Sequence, residues 1–207
     1  MTYRLGQKNG AVESKQMEME SQSQSQLPSQ ARDVLDFWYH QLEPEQWWVR
    51  DNAVDKVVIS RFSALYMLVA NALPGSWLMT ARGRLAAVIV LDQFPRNMFR
   101  GSAKTFMTDE IALALAEETI AVGLDKELVR QECSILYMPF QHSEDREVQE
   151  RSMALYEALG DAGQLDFARK HKTIIDRFGR FPHRNEILGR VSSKEELEFL
   201  KAPGLFW

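Results

Sequence analysis

The chain has 207 residues, enough for one domain with a sizeable core. Hydrophobic residues make up 45% and charged residues 26%, and the formal net charge of -4 argues against a duplex nucleic-acid binder, which usually carries a basic excess. A single cysteine, Cys133, excludes an intramolecular disulfide, and no apolar run approaches the ~20 residues of a membrane-spanning helix.

The N-terminus lacks the apolar core of a signal peptide, and its glutamates disfavour a mitochondrial presequence. The expectation is therefore a cytoplasmic, soluble protein with no membrane partner. Residues 1–27 include "ESQSQSQLPSQ", a polar low-complexity stretch with nothing to bury, and they read as a disordered tail. Residues 28–207 read as a single all-helical domain.

Ser29 is placed to cap the first helix, whose face carries Ala31, Val34, Leu35 and Trp38. Pro44 opens a short turn bearing Trp47 and Trp48. The spacing of Val54, Val57, Val58, Phe62, Leu65 and Val69 predicts a long helix stopped by Pro74-Gly75. Thr80 caps the next, in which Leu85 to Leu91 is apolar all round and so central; its β-branched residues also permit a strand. Thr108 caps a helix that ends at Gly123, with Asp109 and Glu110 complementing its dipole. Asp125 opens another, ending near Pro139.

Ser143 is expected to cap the following helix, with Glu144 and Asp145 in its first turn and Val148, Ser152, Leu155, Tyr156 and Leu159 inward. Phe167, Ala168, His171, Ile174, Ile175 and Phe178 form the stripe of the next, where His171 reads as a core histidine. Ser192/Glu195 and Ser193/Glu196 are both capping-box patterns before a last short helix that stops at Pro203-Gly204. No alternating strand pattern survives, and short connections favour antiparallel neighbours: an all-α fold of stacked helical hairpins.

Three polar blocks stand against the apolar segments. The first holds Asp92, Gln93, Arg96, Asn97 and Arg100, directly after the most apolar run. A buried carboxylate needs a partner, and an Asp-Arg pair bracing the Phe-Pro turn would supply it. In the second, His142 precedes Glu144 and Asp145, so its imidazole is a candidate acid or base. That spacing matches no zinc signature and there is no second cysteine, so no metal site is expected. The third, "FGRFPHRNEILGR", places Arg177, Arg180, Arg184 and Arg190 close together in chain, with His183 and Asn185 among them. Such like charges repel unless anions meet them. Those anions are either the chain's own acids, with Arg180 or Arg184 on Glu144 or Asp145, or a bound phosphate or carboxylate. Walker A, Rossmann, nucleophile-elbow and H-E-x-x-H motifs are absent. Nothing in the sequence names a cofactor.

Together "GRLAAVIVLDQFPRNMFRG", "YMPFQHSEDREVQE" and "FGRFPHRNEILGR" resemble the bacterial family called domain of unknown function 924, from about Ala31 to the C-terminus. The resemblance implies a helical fold similar to tetratricopeptide-like stacks, and no activity. Its matching positions are 92–97, 142–145, 179–185 and 188–190. Gln141 stands where the resemblance leads one to expect an apolar or acidic residue.

Three functions stay open on these residues. One is an internal cleft for a small anionic ligand, built from Asp92, Arg96, Asn97, His142, Glu144, Asp145, Arg180, His183, Arg184 and Asn185. Another is a helical scaffold holding a peptide or protein partner in its groove. The third is a hydrolase-type enzyme with His142 or His183 as acid/base, oriented by Asp92 or Glu144.

Overall fold

The computed structural model of the chain describes residues 27–202. Residues 1–26 of the expected tail and the Pro203-Gly204 stop lie outside them. Among the described residues there are helices and turns and no strand, so the all-α expectation holds.

Helix α1 is Ser29–Asp36, running on through a π-helical turn, Phe37–Gln41. Its N-cap is Pro28, not Ser29, and no side chain caps it. Helix α2, Asn52–Asn71, is capped by Asp51, which accepts from Ala53 N (2.7 Å) and Val54 N (3.3 Å). It buries Val54, Val58, Phe62, Leu65 and Val69 at helical spacing, while Val57 falls on the solvent side.

Thr80 caps α3, Ala81–Val88, through its hydroxyl and Gly83 N (3.0 Å). Gly83 is required there: a Cβ would sit 2.2 Å from the Trp77 carbonyl oxygen. The chain then passes through a π-helical turn, Ile89–Gln93, into α4, Phe94–Met98. Leu85 to Leu91 are fully buried, and the run is helical, not a strand.

Pro95 explains a departure further on. Proline has no N–H, so the Leu91 carbonyl loses its helical donor. Thr108 Oγ1 donates to it instead (2.5 Å). Thr108 therefore stands at the N-cap of α5, Asp109–Ala121, without making the capping bond expected of it.

Asp125 does not open a helix. It lies in the turn Leu124–Glu127 and accepts from Tyr137 OH (2.9 Å), while α6, Arg130–Leu136, begins after Val129, whose N–H is taken by Glu132 (3.1 Å). Pro139 then sits in the first turn of α7, Met138–His142. Helix α8, Arg146–Leu159, is capped by Asp145 and not by Ser143; Asp145 Oδ1 accepts from Glu147 N and Val148 N. Gly160 and Asp161 turn the chain into α9, Ala162–Phe178, which packs along α8 as a hairpin. Gly179 ends α9 at φ +67, a left-handed position that suits glycine. After the turn Pro182–Arg184, the Ser193/Glu196 box caps α10, Lys194–Leu200. Ser192 is used elsewhere, accepting from Asn185 Nδ2 (3.0 Å).

The core wraps the continuous α3–α4 path. Helices α1 and α5 pack on α3, α2 on α4, and α7 on α5 and α8. The arrangement is compatible with the tetratricopeptide-like stacking that the resemblance implies. Among the described residues, no helix is long and apolar enough to cross a membrane.

Candidate functional site

The C-terminal end of the α3–α4 path brings Asp92 out of the apolar run and still fully buried. Its partners are assembled from three elements. His142 Nδ1 at the end of α7 lies 2.8 Å from Asp92 Oδ1; Gln93 Nε2 donates to Oδ2; Arg96 Nη1 is 3.4 Å from Oδ1. Burial alone would push this carboxyl up, but Arg96, His142 and Gln93 outweigh it and hold it at about 2. Arg96 also donates to the Asp92 carbonyl and forks onto Asp109, at 3.0 and 3.1 Å. The expected Asp-Arg brace of the Phe-Pro turn is present, and Asp109 completes it from the first turn of α5.

His142 gives its Nδ1–H to Asp92, which leaves Nε2 as the proton-accepting atom of a ring that lines a cavity. Burial, and Arg96 nearby, lower its pKa against the opposing pull of Asp92. His171 and His183 are held at about 3, chiefly by burial, then by His142 for the first and Arg184 for the second. All three rings are thus neutral at pH 7. The His171 ring stands edge-on to His142 at 6.2 Å and to Phe181 at 5.6 Å.

Arg184 is the second cation near Asp109. It is 7% exposed and sandwiched between Phe106 and Phe181, each 4.5 Å from its guanidinium carbon. Its hydrogen bond goes to the His142 carbonyl (3.0 Å); Asp109 Oδ2 is 3.7 Å from Nη1, and Nε is buried with no acceptor. Burial, then Arg96, lowers its pKa to about 10, so it stays charged at pH 7.

The sequence-expected residues divide into two groups. Arg96, Asn97, His142, His183 and Arg184 line one cavity of about 630 Å³. Asp92 lies behind His142. Glu144, Asp145, Arg180 and Asn185 face elsewhere, as supports. Glu144 accepts from Phe181 N (2.7 Å) and from Arg190 (2.6 and 3.0 Å), which holds its carboxyl low against burial. The expected contact of Glu144 or Asp145 with Arg180 or Arg184 is therefore corrected: Arg190 is the partner of Glu144. Arg180 forks onto Glu196 instead, at 2.7 and 2.8 Å, because α10 presents that carboxylate closer to it. Asn97 and Arg100 both hold Asp55 of α2. Of the two acid/base candidates paired with a carboxylate in the expectation, Asp92 meets His142 and Glu144 meets neither histidine.

The cavity also has walls that residue-by-residue reading missed. Gln141 is buried and lines the cavity, and its side chain hydrogen-bonds with the Tyr156 hydroxyl. Trp47, Trp48, Phe167 and Phe106 line it, as does His171, which was expected in the core. The Trp47-Trp48 doublet and the departure at Gln141 were the signals available in the sequence. Arg50, Arg96, Arg100 and Arg184 line the cavity, and among the described residues no aspartate or glutamate does. Among the described residues, no group of three or more His, Cys, Asp or Glu side chains is placed to hold a metal ion.

The family model described as bacterial protein of unknown function, DUF924, matches residues 34–204. The chain belongs to this family. It is also similar to a solved structure, a protein of unknown function, ATU0120, from Agrobacterium tumefaciens. The two are 38% identical over 83% of this chain and 96% of that one, with a TM-score of 0.79. No curated protein matches the chain. The DUF924 span contains all three polar blocks and every residue lining the cavity, from Trp38 to Ile187. The cavity is therefore part of the DUF924 domain itself.

Proposed function

We propose that the cavity binds a small organic anion. The observation that carries this reading is the make-up of its wall: arginine, amide and imidazole side chains line the space, and among the described residues no aspartate or glutamate does. The inner charges Arg96, Arg184, Asp92 and Asp109 balance formally, so the attraction is not bulk charge. It lies in the donors left over once Asp92 and Asp109 have been used. Arg184 makes one hydrogen bond, to the His142 carbonyl, and keeps a buried Nε without an acceptor among the described residues; an unmade hydrogen bond in such a place costs ~1–3 kcal/mol. An oxyanion supplies acceptors of the right kind. The buried Cys133 fits the cytoplasmic placement read from the sequence.

The test is thermal unfolding with phosphate, acetate or larger phosphorylated and carboxylated metabolites, against sodium chloride at matched ionic strength. A ligand at a hundred times its dissociation constant adds ~2.7 kcal/mol of stability. Arg184→Ala removes the shift and leaves the helical fold intact. No shift across the panel beyond the salt control sinks this reading, and a peptide or protein partner in the groove becomes the alternative to pursue.

A second reading is favoured by one specific geometry, the 2.8 Å Asp92–His142 contact. A buried carboxylate that fixes Nδ1–H leaves Nε2 as a general base of the kind used in acid-base catalysis. In hydrolysis, Nε2 takes a proton from water, the hydroxide adds to the bound ester, and the imidazolium returns the proton to the leaving oxygen. The experiment is release of p-nitrophenol from p-nitrophenyl phosphate by the wild type and by His142→Gln. General-base catalysis is worth ~10²–10⁴-fold, so equal release by the two proteins rejects it.

A further inference from the structure

The cavity has far more room than a bare anion needs. An acetate or phosphate occupies the space of roughly two or three waters, at ~30 Å³ each, against about 630 Å³ available. The remaining wall is aromatic and graded. Trp48, 44% exposed, lies nearly parallel to Phe167, with ring centres 6.4 Å apart and planes 13° from parallel. Trp47 is stacked on Trp38 at 5.9 Å and fixed by its Nε1–H on the Trp38 carbonyl (2.9 Å). One turn of α9 beyond Phe167 stands His171, which touches Phe181, and the face of Phe181 carries Arg184. Along that path the wall changes from exposed rings to buried donors.

We propose that the ligand is an amphiphilic anion: a carboxylate or phosphate head held by Arg184, joined to a flat aromatic body lying against Trp47, Trp48 and Phe167. This rests on the anion-cavity reading and adds the ligand's chemical class. A flat body matches rings already held in stacked geometry, and it covers Trp48, a large aromatic left open to water at the edge of the cavity.

The experiment is isothermal titration of the full chain with phosphate, acetate, phenyl phosphate, benzoate and phenol, followed also by tryptophan fluorescence. The expected result is that the aryl anions bind at least tenfold more tightly than phosphate and acetate. Phenol, with no head group, binds more weakly than either aryl anion. Trp48→Ala, at a half-exposed position, cuts the aryl advantage, the ratio of phenyl phosphate to phosphate affinity, at least threefold. Equal affinity of bare and aryl anions overturns the proposal while the anion reading stands. So does a Trp48→Ala variant that keeps the full aryl advantage. Binding by none of the five compounds overturns both readings, and phenol binding as tightly as the aryl anions overturns the role of the head group.

Discussion

Phe94-Pro95 and Phe181-Pro182 are two versions of one local device. Each buries its phenylalanine completely, places its proline at the start of a helical turn, and sends the next arginine toward Asp109. Arg96 reaches that carboxylate with both terminal nitrogens and also takes the Asp92 carbonyl. Arg184 arrives second, stops at 3.7 Å, and is left with one carbonyl bond and two phenylalanine faces. The difference is the inserted His183, which moves the second arginine one residue further from its proline. Arg96 takes both oxygens of the carboxylate, and Arg184 is left beyond hydrogen-bond distance. The better-paired one is a strut, and the other is the cation with bonding capacity to spare.

That division is broken or sharpened first at Arg96. Arg96→Ala takes the guanidinium from the fully buried Asp92 and the two-nitrogen fork from Asp109. Removing one partner of a buried ion pair costs ~3–5 kcal/mol, and the loss is expected in that range by urea unfolding. A loss below ~1 kcal/mol, the size of an exposed pair, would mean that Arg96 is no strut.

A smaller effect follows from the three neutral histidines, which the two arginines help to keep neutral. His142, His171 and His183 have folded pKa values below their unfolded ~6.5, so the unfolded chain binds more protons. Their contribution is fully present above about pH 6.5 and is lost as pH falls toward about 3. Between pH 7 and 5 the expected loss is ~1–3 kcal/mol, discounted for water reaching the cavity. The carboxylates Asp92 and Glu144 are held low and add their own loss only under more acidic conditions. A cavity-bound anion favours protonated imidazole, so phosphate flattens the slope where chloride does not. Flat stability between pH 7 and 5 in chloride would show that these rings take up protons in the fold as readily as in the unfolded chain.

How much of this was open to sequence reading depended on the range of each bond. Helix faces were legible, because Val58, Phe62, Leu65 and Val69 declare themselves by spacing alone. Caps were legible where the hydroxyl serves its own helix, as at Thr80 and Ser193. They failed where a distant group competed. Thr108 goes to the carbonyl that Pro95 frees, Asp125 to Tyr137, and Glu144 to Phe181 N and Arg190. The three polar blocks were visible as anomalies of charge beside apolar runs. Their pairing was not, since Arg180, Arg184 and Arg190 are chemically alike and only the position of α10 decides which of them meets Glu196. His171 was read as core from a stripe it does share with Ala168 and Ile175, yet its ring edge borders the cavity. The tryptophan wall was missed because Trp47 and Trp48 lie far in chain from Phe167.

The smallest expected effect on stability is the most informative about function. Arg184→Met replaces a buried, under-bonded guanidinium by an apolar chain of similar length between the same two phenylalanine rings. The lost terms are two cation–π contacts, worth ~0.5–2 kcal/mol each, and one hydrogen bond to a carbonyl. The recovered term is the desolvation of a charge with no full ion partner, which is several kcal/mol. Methionine also packs well against aromatic faces. The two sides nearly cancel, so the change in unfolding free energy is expected within ~1 kcal/mol of zero. Phosphate and phenyl phosphate should nevertheless lose their stabilising effect on this variant. Arg184 would then be kept at a site where an apolar residue serves the fold equally well, as expected of a group retained for a ligand. A loss near the ~3–5 kcal/mol of Arg96→Ala would instead make the two Phe-Pro arginines equal struts, and the cavity would lose its principal ligand donor.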